Sequence, residues 1–214
     1  CGVREGRSAV PYVAYGRVTC PANRRQLHVG QVGGGRHDQT GGGADFLCLS
    51  SESDGTEEAR SAGPSGASIS PVEYRTNGYG ANTLTHVDGE SVPCSVCEVE
   101  DSTDVITVTG TTVCPQMYER EYFGWLMSAH YTNKLRTKTM CVADDAVPSP
   151  NPFSDSSSPR GKAYPMEVEN DFGGWESNRE VACAVCSRCV NCPEYVPEPP
   201  AESDGDGITD ISRA

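Results

Sequence analysis

The apolar positions of this chain fall in short runs whose internal period is that of strands. Residues 105–109 read Val-Ile-Thr-Val-Thr, β-branched throughout and closed by Gly110, the composition of a pleated, half-buried strand. Residues 121–131 are aromatic-rich, and a weaker apolar run covers 28–32. No long run places apolar residues at the 3, 4, 7 spacing of an amphipathic helix. Gly33-Gly34-Gly35 and Gly41-Gly42-Gly43 flank His37 and mark tight turns or close backbone approaches. The pattern predicts an all-β chain built from short strands.

These runs are duplicated. Cys20-Pro21, Cys48 and Cys94-x-x-Cys97 recur as Cys114-Pro115, Cys141 and Cys183-x-x-Cys186, at offsets of 94, 93, 89 and 89 residues. Gly30 and Gly124, His37 and His130, and Glu73 and Glu167 keep the same step. A fixed period with matching punctuation marks a repeated fold unit. The chain divides into a lead-in (1–11), a first repeat (12–100), a second repeat (101–189), and a Pro-rich spacer with an acidic tail (190–214). Polar inserts at 50–70 and 143–162 follow the second cysteine of each set and predict exposed, mobile loops.

Units of about 90 residues bury modest cores and often depend on cross-links. Eleven cysteines in 214 residues suit an oxidising compartment. No apolar run approaches the ~20 residues of a membrane span, and no signal segment is visible. A processed, secreted form that begins at Cys1 and inserts in no membrane is expected. The formal charge of −13 argues against nucleic acid, which needs a concentrated excess of Lys and Arg. It is compatible with calcium, with basic partners, or with solubility alone.

Three chemistries compete for the cysteines. The run Cys183-x-x-Cys186-x-x-Cys189-x-x-Cys192-Pro193 looks like an iron–sulfur ligand run, but the ferredoxin pattern has three residues before its last cysteine. The first repeat has no such run, so no redox cofactor is expected. Structural zinc needs four convergent ligands, whereas each repeat offers one close pair and two distant single cysteines. Disulfides fit both composition and compartment. Four cysteines per repeat allow three connectivities that spacing does not separate. Cys1, Cys189 and Cys192 remain, an odd number, which leaves one free or joined to another chain.

The pattern Cys-Pro, aromatic-Gly, single Cys and Cys-x-Val-Cys, given twice, resembles the tandem C-terminal non-collagenous domain of type IV collagen. The residues that carry it are Pro93-Cys94-Ser95-Val96-Cys97, then 105–109, Cys114-Pro115 and Tyr122-Phe123-Gly124-Trp125. A nearer likeness is to the C-terminal domain of sponge short-chain (spongin-type) collagens and related invertebrate secreted proteins. Their Tyr-Gly-Arg-x-Thr-Cys-Pro opening, Ser-His-Tyr-Thr-His segment and Gly-Gly-Gly-Ala-Asn-Tyr-Leu-Cys-Leu run correspond to residues 15–21, 36–40 and 41–49 here. The resemblance covers about residues 12–187. It implies two disulfide-stapled, all-β subdomains related by pseudo-two-fold symmetry. It also implies pairing of Cys20 with Cys97, Cys48 with Cys94, Cys114 with Cys186, and Cys141 with Cys183. The further cysteine pair in each half of the type IV domain is absent here, as is any Gly-x-y tract.

A second likeness lies in the tail, where residues 202–210 resemble one calcium loop of a thrombospondin type 3 repeat. Glu202, Asp204, Asp206 and Asp210 would present hard oxygens to Ca²⁺ around a Gly turn; the competing reading is an acidic tail without structure. The repeated histidines stand among small polar and aromatic residues on Gly-rich segments, a combination that suits carbohydrate. His37, Asp38, Thr40, His130, Tyr131 and Asn133 are therefore the candidate glycan-binding residues. The alternative is that the histidines serve packing or turns. Thr40 and Asn133 replace the second histidine of the family's His-x-x-His, which weighs against a metal there. His28 and His86 have no equivalents and read as surface residues.

The chain has no Gly-x-Ser-x-Gly elbow, phosphate loop or His-Glu-x-x-His, so no catalytic residue is assigned. The expectation is a secreted, non-enzymatic, lectin-like module that recognises glycans or matrix components, with calcium as a candidate cofactor and homo-oligomers adding avidity. The alternative is a spongin- or collagen-type matrix-assembly domain, and a secreted enzyme or toxin is a third class.

Overall fold

The three apolar runs fall in β-strands, and seven further strands lie around them among the described residues. The computed structural model describes residues 8–51, 67–151 and 159–189. Its strands are β1 (Ala9–Tyr15), β2 (Arg25–Gly34), β3 (Leu47–Ser50), β4 (Ser70–Tyr74), β5 (Pro93–Glu100), β6 (Ser102–Thr109), β7 (Tyr118–Ser128), β8 (Met140–Ala143), β9 (Gly161–Pro165) and β10 (Ala182–Cys189). A 3-10 turn at Asn82–Val87 is the one helical element among the described residues. The chain is all-β.

In the first repeat β5 pairs with β1 and β2, and β2 also pairs with β3 and β4, all antiparallel. The second repeat uses the same set: β10 with β6 and β7, and β7 with β8 and β9. Two parallel contacts, β4 beside β9 and β1 beside β8, join the repeats into one sheet. Strand alternation then sorts side chains into two cores. From β8, Met140 and Val142 enter one core while Cys141 and Ala143 enter the other. β1 divides the same way, with Val13 and Tyr15 on one side and Tyr12 and Ala14 on the other. Both cores draw on both repeats.

Disulfides join Cys20 to Cys97, Cys48 to Cys94, Cys114 to Cys186, and Cys141 to Cys183, the pairs that the resemblance implies. Within Cys-x-x-Cys the odd spacing on a strand turns the two thiols to opposite faces. Cys94 accordingly lies in the first core and Cys97 in the second, so each must find a distant partner. The sequence separations are 77, 46, 72 and 42 residues. Closing one such loop alone is worth about 4 kcal/mol of chain entropy. The loops are nested within each repeat, so the four contributions do not add.

Cys48 and Cys94 sit on β3 and β5, which flank β2 from opposite edges. Two strands so placed in a flat sheet would be about 10 Å apart. Here the two Cα atoms are 5.7 Å apart, and Cys141 and Cys183, which straddle β7, are 5.8 Å apart. Glycine in the straddled strand permits the approach. A Cβ on Gly30 would overlap the Leu49 carbonyl, and one on Gly124 would overlap the Val142 carbonyl. The matched pair Gly30 and Gly124 therefore has one physical role in both repeats. Gly33-Gly34-Gly35 is likewise a site of close approach, by Leu49, Ile69 and Leu135, while Gly42 makes a turn at φ +108°.

A buried charge closes the other side. Glu121, its side chain fully buried, accepts from Tyr12 Oη at 2.9 Å, Arg24 Nε at 2.7 Å and Ser187 Oγ at 2.5 Å. Burial and the neighbouring carboxylate push the Tyr12 phenol up, and burial does the same for Tyr74 and Tyr122.

Gly124→Ala should lower stability by about 3 kcal/mol or more, because backbone rather than a movable side chain meets the new methyl group. Urea unfolding should show the loss, and thiol counting should find Cys141 and Cys183 incompletely paired. Alkaline titration gives a second check. A phenol with a raised folded pKa gives stability that is intact below the unfolded value of about 10 and is lost as pH climbs past it. Tyr12, Tyr74 and Tyr122, three of the nine tyrosines, should form no tyrosinate absorbance until the chain unfolds above pH ~10.

Candidate functional site

β4 and β9 run parallel, with Val72 opposite Gly161, Glu73 opposite Lys162 and Tyr74 opposite Ala163. Val72, Tyr74 and Ala163 are core residues. Alternation therefore sends Glu73, Lys162 and Tyr164, with Arg75 and Arg160 at the strand ends, to the opposite face of this seam. Arg160 Nη1 donates to Glu73 Oε2 at 3.0 Å, and Arg75 Nη1 stands 3.7 Å from Glu73 Oε1.

Each end of the seam carries one of the repeated histidines. At the start of β9, the Arg160 carbonyl accepts from the His37 backbone N–H at 3.0 Å and from its ring Nδ1 at 2.9 Å. At the far end, the Arg75 guanidinium neighbours the Tyr164 phenol, whose pKa is pushed up by burial. The Tyr164 ring meets Tyr79 and His130, each at a centroid distance of 4.9 Å. Tyr131 tilts over His130 at 4.3 Å. Tyr131 is 89% exposed and Tyr79 42%, while Tyr164 beneath them is 9% exposed. The result is an aromatic shelf on a buried footing.

Loops 35–46 and 129–139 also meet. The Lys134 N–H donates to the His37 carbonyl at 3.0 Å, and the Lys138 N–H to the Ala44 carbonyl at 2.8 Å. Lys138 Nζ pairs with Asp45 at 2.8 Å. Gly35 packs closely here, where a Cβ would meet the end of the Leu135 side chain and stand 3.0 Å from the Gly43 carbonyl.

Of the predicted residues, His37 and His130 share the seam but stand at points four residues apart along β9, about 13 Å. Their surroundings differ: His37 is pinned to a carbonyl, whereas His130 is packed among rings, its Nδ1 2.8 Å from Thr132 Oγ1. Asp38 accepts from Arg36 Nε and Nη2 at 3.0 and 2.8 Å, and that guanidinium holds its carboxyl below the ordinary value. Thr40 is exposed, and the Asn133 N–H closes a turn on the His130 carbonyl at 2.9 Å. Sequence reasoning missed Tyr79, Tyr164, Arg75, Arg160 and Lys162. Only the alternation along 160–164 could have flagged Arg160, Lys162 and Tyr164 as one face. Glu167, matched to Glu73 by offset, is exposed and bridges to Glu180, so the two glutamates share no environment. His28 is half-buried rather than on the surface, and both ring nitrogens of His86 lie 3.0 Å from carbonyls, of Thr83 and Ala146.

No family model matches the chain, and no solved structure matches it. Among the described residues no group of three or more His, Cys, Asp or Glu side chains converges as a metal site. The candidate calcium ligands Glu202, Asp204, Asp206 and Asp210, together with Cys1 and Cys192, lie outside the described residues. A cavity of about 400 Å³ beside β1 and β6 includes Tyr12 and Tyr122 in its lining. Its phenols are already engaged, Tyr12 with Glu121 and Tyr122 with the Val13 and Cys141 carbonyls.

Glu73→Ala would remove a buried carboxylate that faces both Arg160 and Arg75 across the seam, for an expected loss of about 1–3 kcal/mol. Glu167→Ala should fall within about 0.5 kcal/mol of the parent chain. Denaturant midpoints of the two variants provide the comparison.

Proposed function

We propose that this chain is a secreted, non-catalytic binding module that recognises glycans or matrix polymers through the aromatic shelf of Tyr131, His130 and Tyr79. The observation that carries this reading is Tyr131, a large ring 89% exposed yet held at 4.3 Å against His130. A ring in that position contributes little to the core and offers an apolar face to a sugar, while nearby polar groups meet its hydroxyls. Four disulfides suit an oxidising exterior. Among the described residues no helix is long and apolar enough to cross a membrane. Carboxylates of the 202–210 segment would add calcium dependence to this binding.

The second reading, a spongin-type matrix-assembly domain, is favoured by β3. Its Leu47 and Leu49 are exposed beside Ile69. An exposed cluster of large apolar side chains offers a contact surface to another chain.

A glycan array probed with the natively oxidised protein, with and without calcium, should give saccharide signals that fall at least tenfold in Tyr131→Ala. A blank array from folded protein would sink the lectin reading. Light scattering that found stable oligomers alongside that blank array would select matrix assembly.

A further inference from the structure

The geometry points to an anionic polysaccharide, sulfated or carboxylated, as the ligand of the β4–β9 seam, an inference that rests on the glycan reading above. The chain carries a formal charge of −13 and has only three lysines, Lys134, Lys138 and Lys162. All three belong to the seam or to the loop beside it. Along the outward face of β9 and the residue before it, Arg160, Lys162 and Tyr164 follow one another at alternate positions, with Arg75 across at the end of β4. Lys134 and Arg136 project from the loop that also holds Tyr131, and both are exposed.

The carboxylates present do not neutralise this set. Glu73 serves Arg160 and Arg75, Asp88 adds its charge near Arg75, and Asp45 serves Lys138. Lys134, Arg136 and Lys162 make no ion pair among the described residues. A neutral saccharide would give these cations no role. A chain bearing an acidic group on each sugar would use both features together, acid on Lys and Arg, ring on Tyr131. Guanidinium and ammonium groups suit sulfate and carboxylate oxygens, and the acidic remainder of the surface would repel the polymer from every other approach.

The test is equilibrium binding of the natively oxidised chain to heparin oligosaccharides (sulfated), hyaluronan oligosaccharides (carboxylate only) and neutral dextran, at 50 and 300 mM salt. Tighter binding of one or both acidic polymers than of dextran is expected, weakening at least tenfold at the higher salt, and the stronger of the two identifies the acidic group. Lys134→Glu with Arg136→Glu should lower that affinity at least tenfold. Arg25→Glu with Arg188→Glu, an equal charge change on β2 and β10, should change it less than threefold. Neutral dextran bound as tightly and without salt dependence would overturn the anionic assignment and leave the glycan reading standing. No binding to any of the three by folded protein, together with a blank array, would overturn both. Single-stranded DNA bound as tightly as the polysaccharides, or equal losses in both charge variants, would mark a non-specific polyanion effect and also overturn the inference.

Discussion

The approach of β3 to β5 across Gly30, and of β8 to β10 across Gly124, is closer than strands two apart in a flat sheet can come. Glycine removes the obstacle and a disulfide holds the result. Once the sheet is drawn in at these points, β2 and β7 each have neighbours on both edges and a core on each side. Residues of both repeats then meet in the same two cores, because neither repeat presents a complete apolar surface of its own. The parallel contacts of β1 with β8 and of β4 with β9 then make one continuous sheet of the duplicated sequence.

Two buried glutamates mark where the repeats are fastened. Glu121 of the second repeat takes hydrogen bonds from Tyr12 and Arg24 of the first, and Glu73 of the first pairs with Arg160 of the second. Buried ion pairs add little net stability over apolar packing, but a wrong partner leaves a charge stranded, which penalises misregistered docking. The position equivalent to Glu121 holds Leu27, and Glu167, matched to Glu73, is exposed and makes no ion pair among the described residues. The duplication has diverged where the halves touch, since one interface needs only one such fastening on each side.

The same divergence shapes the site. The seam between β4 and β9 brings the two histidine loops to opposite ends of one strand pair. One histidine became a tether for the Arg160 carbonyl and the other joined a ring cluster under Tyr131. Cations line the outward face between them, on a chain that is otherwise strongly acidic. Function in this reading belongs to the join between repeats rather than to either repeat.

The sequence by itself determined the strand class, through β-branched and aromatic runs, and the duplication, through cysteine and glycine spacing. These are local or periodic properties, and a chain carries them without reference to distant partners. Likeness to a known pattern supplied the disulfide pairing, which spacing alone left three ways open. Short strands such as β3 and β8, four residues each, carry too few positions for a period to show. His37, His130 and Tyr131 were legible as candidates because repetition and aromaticity singled them out. Tyr79, Tyr164, Arg75 and Lys162 were not, since nothing near them in sequence distinguishes a platform tyrosine or an unpaired lysine from any other. Only the tertiary structure decided that β4 lies parallel to β9, and a parallel neighbour is chosen by long-range packing rather than by an adjoining turn.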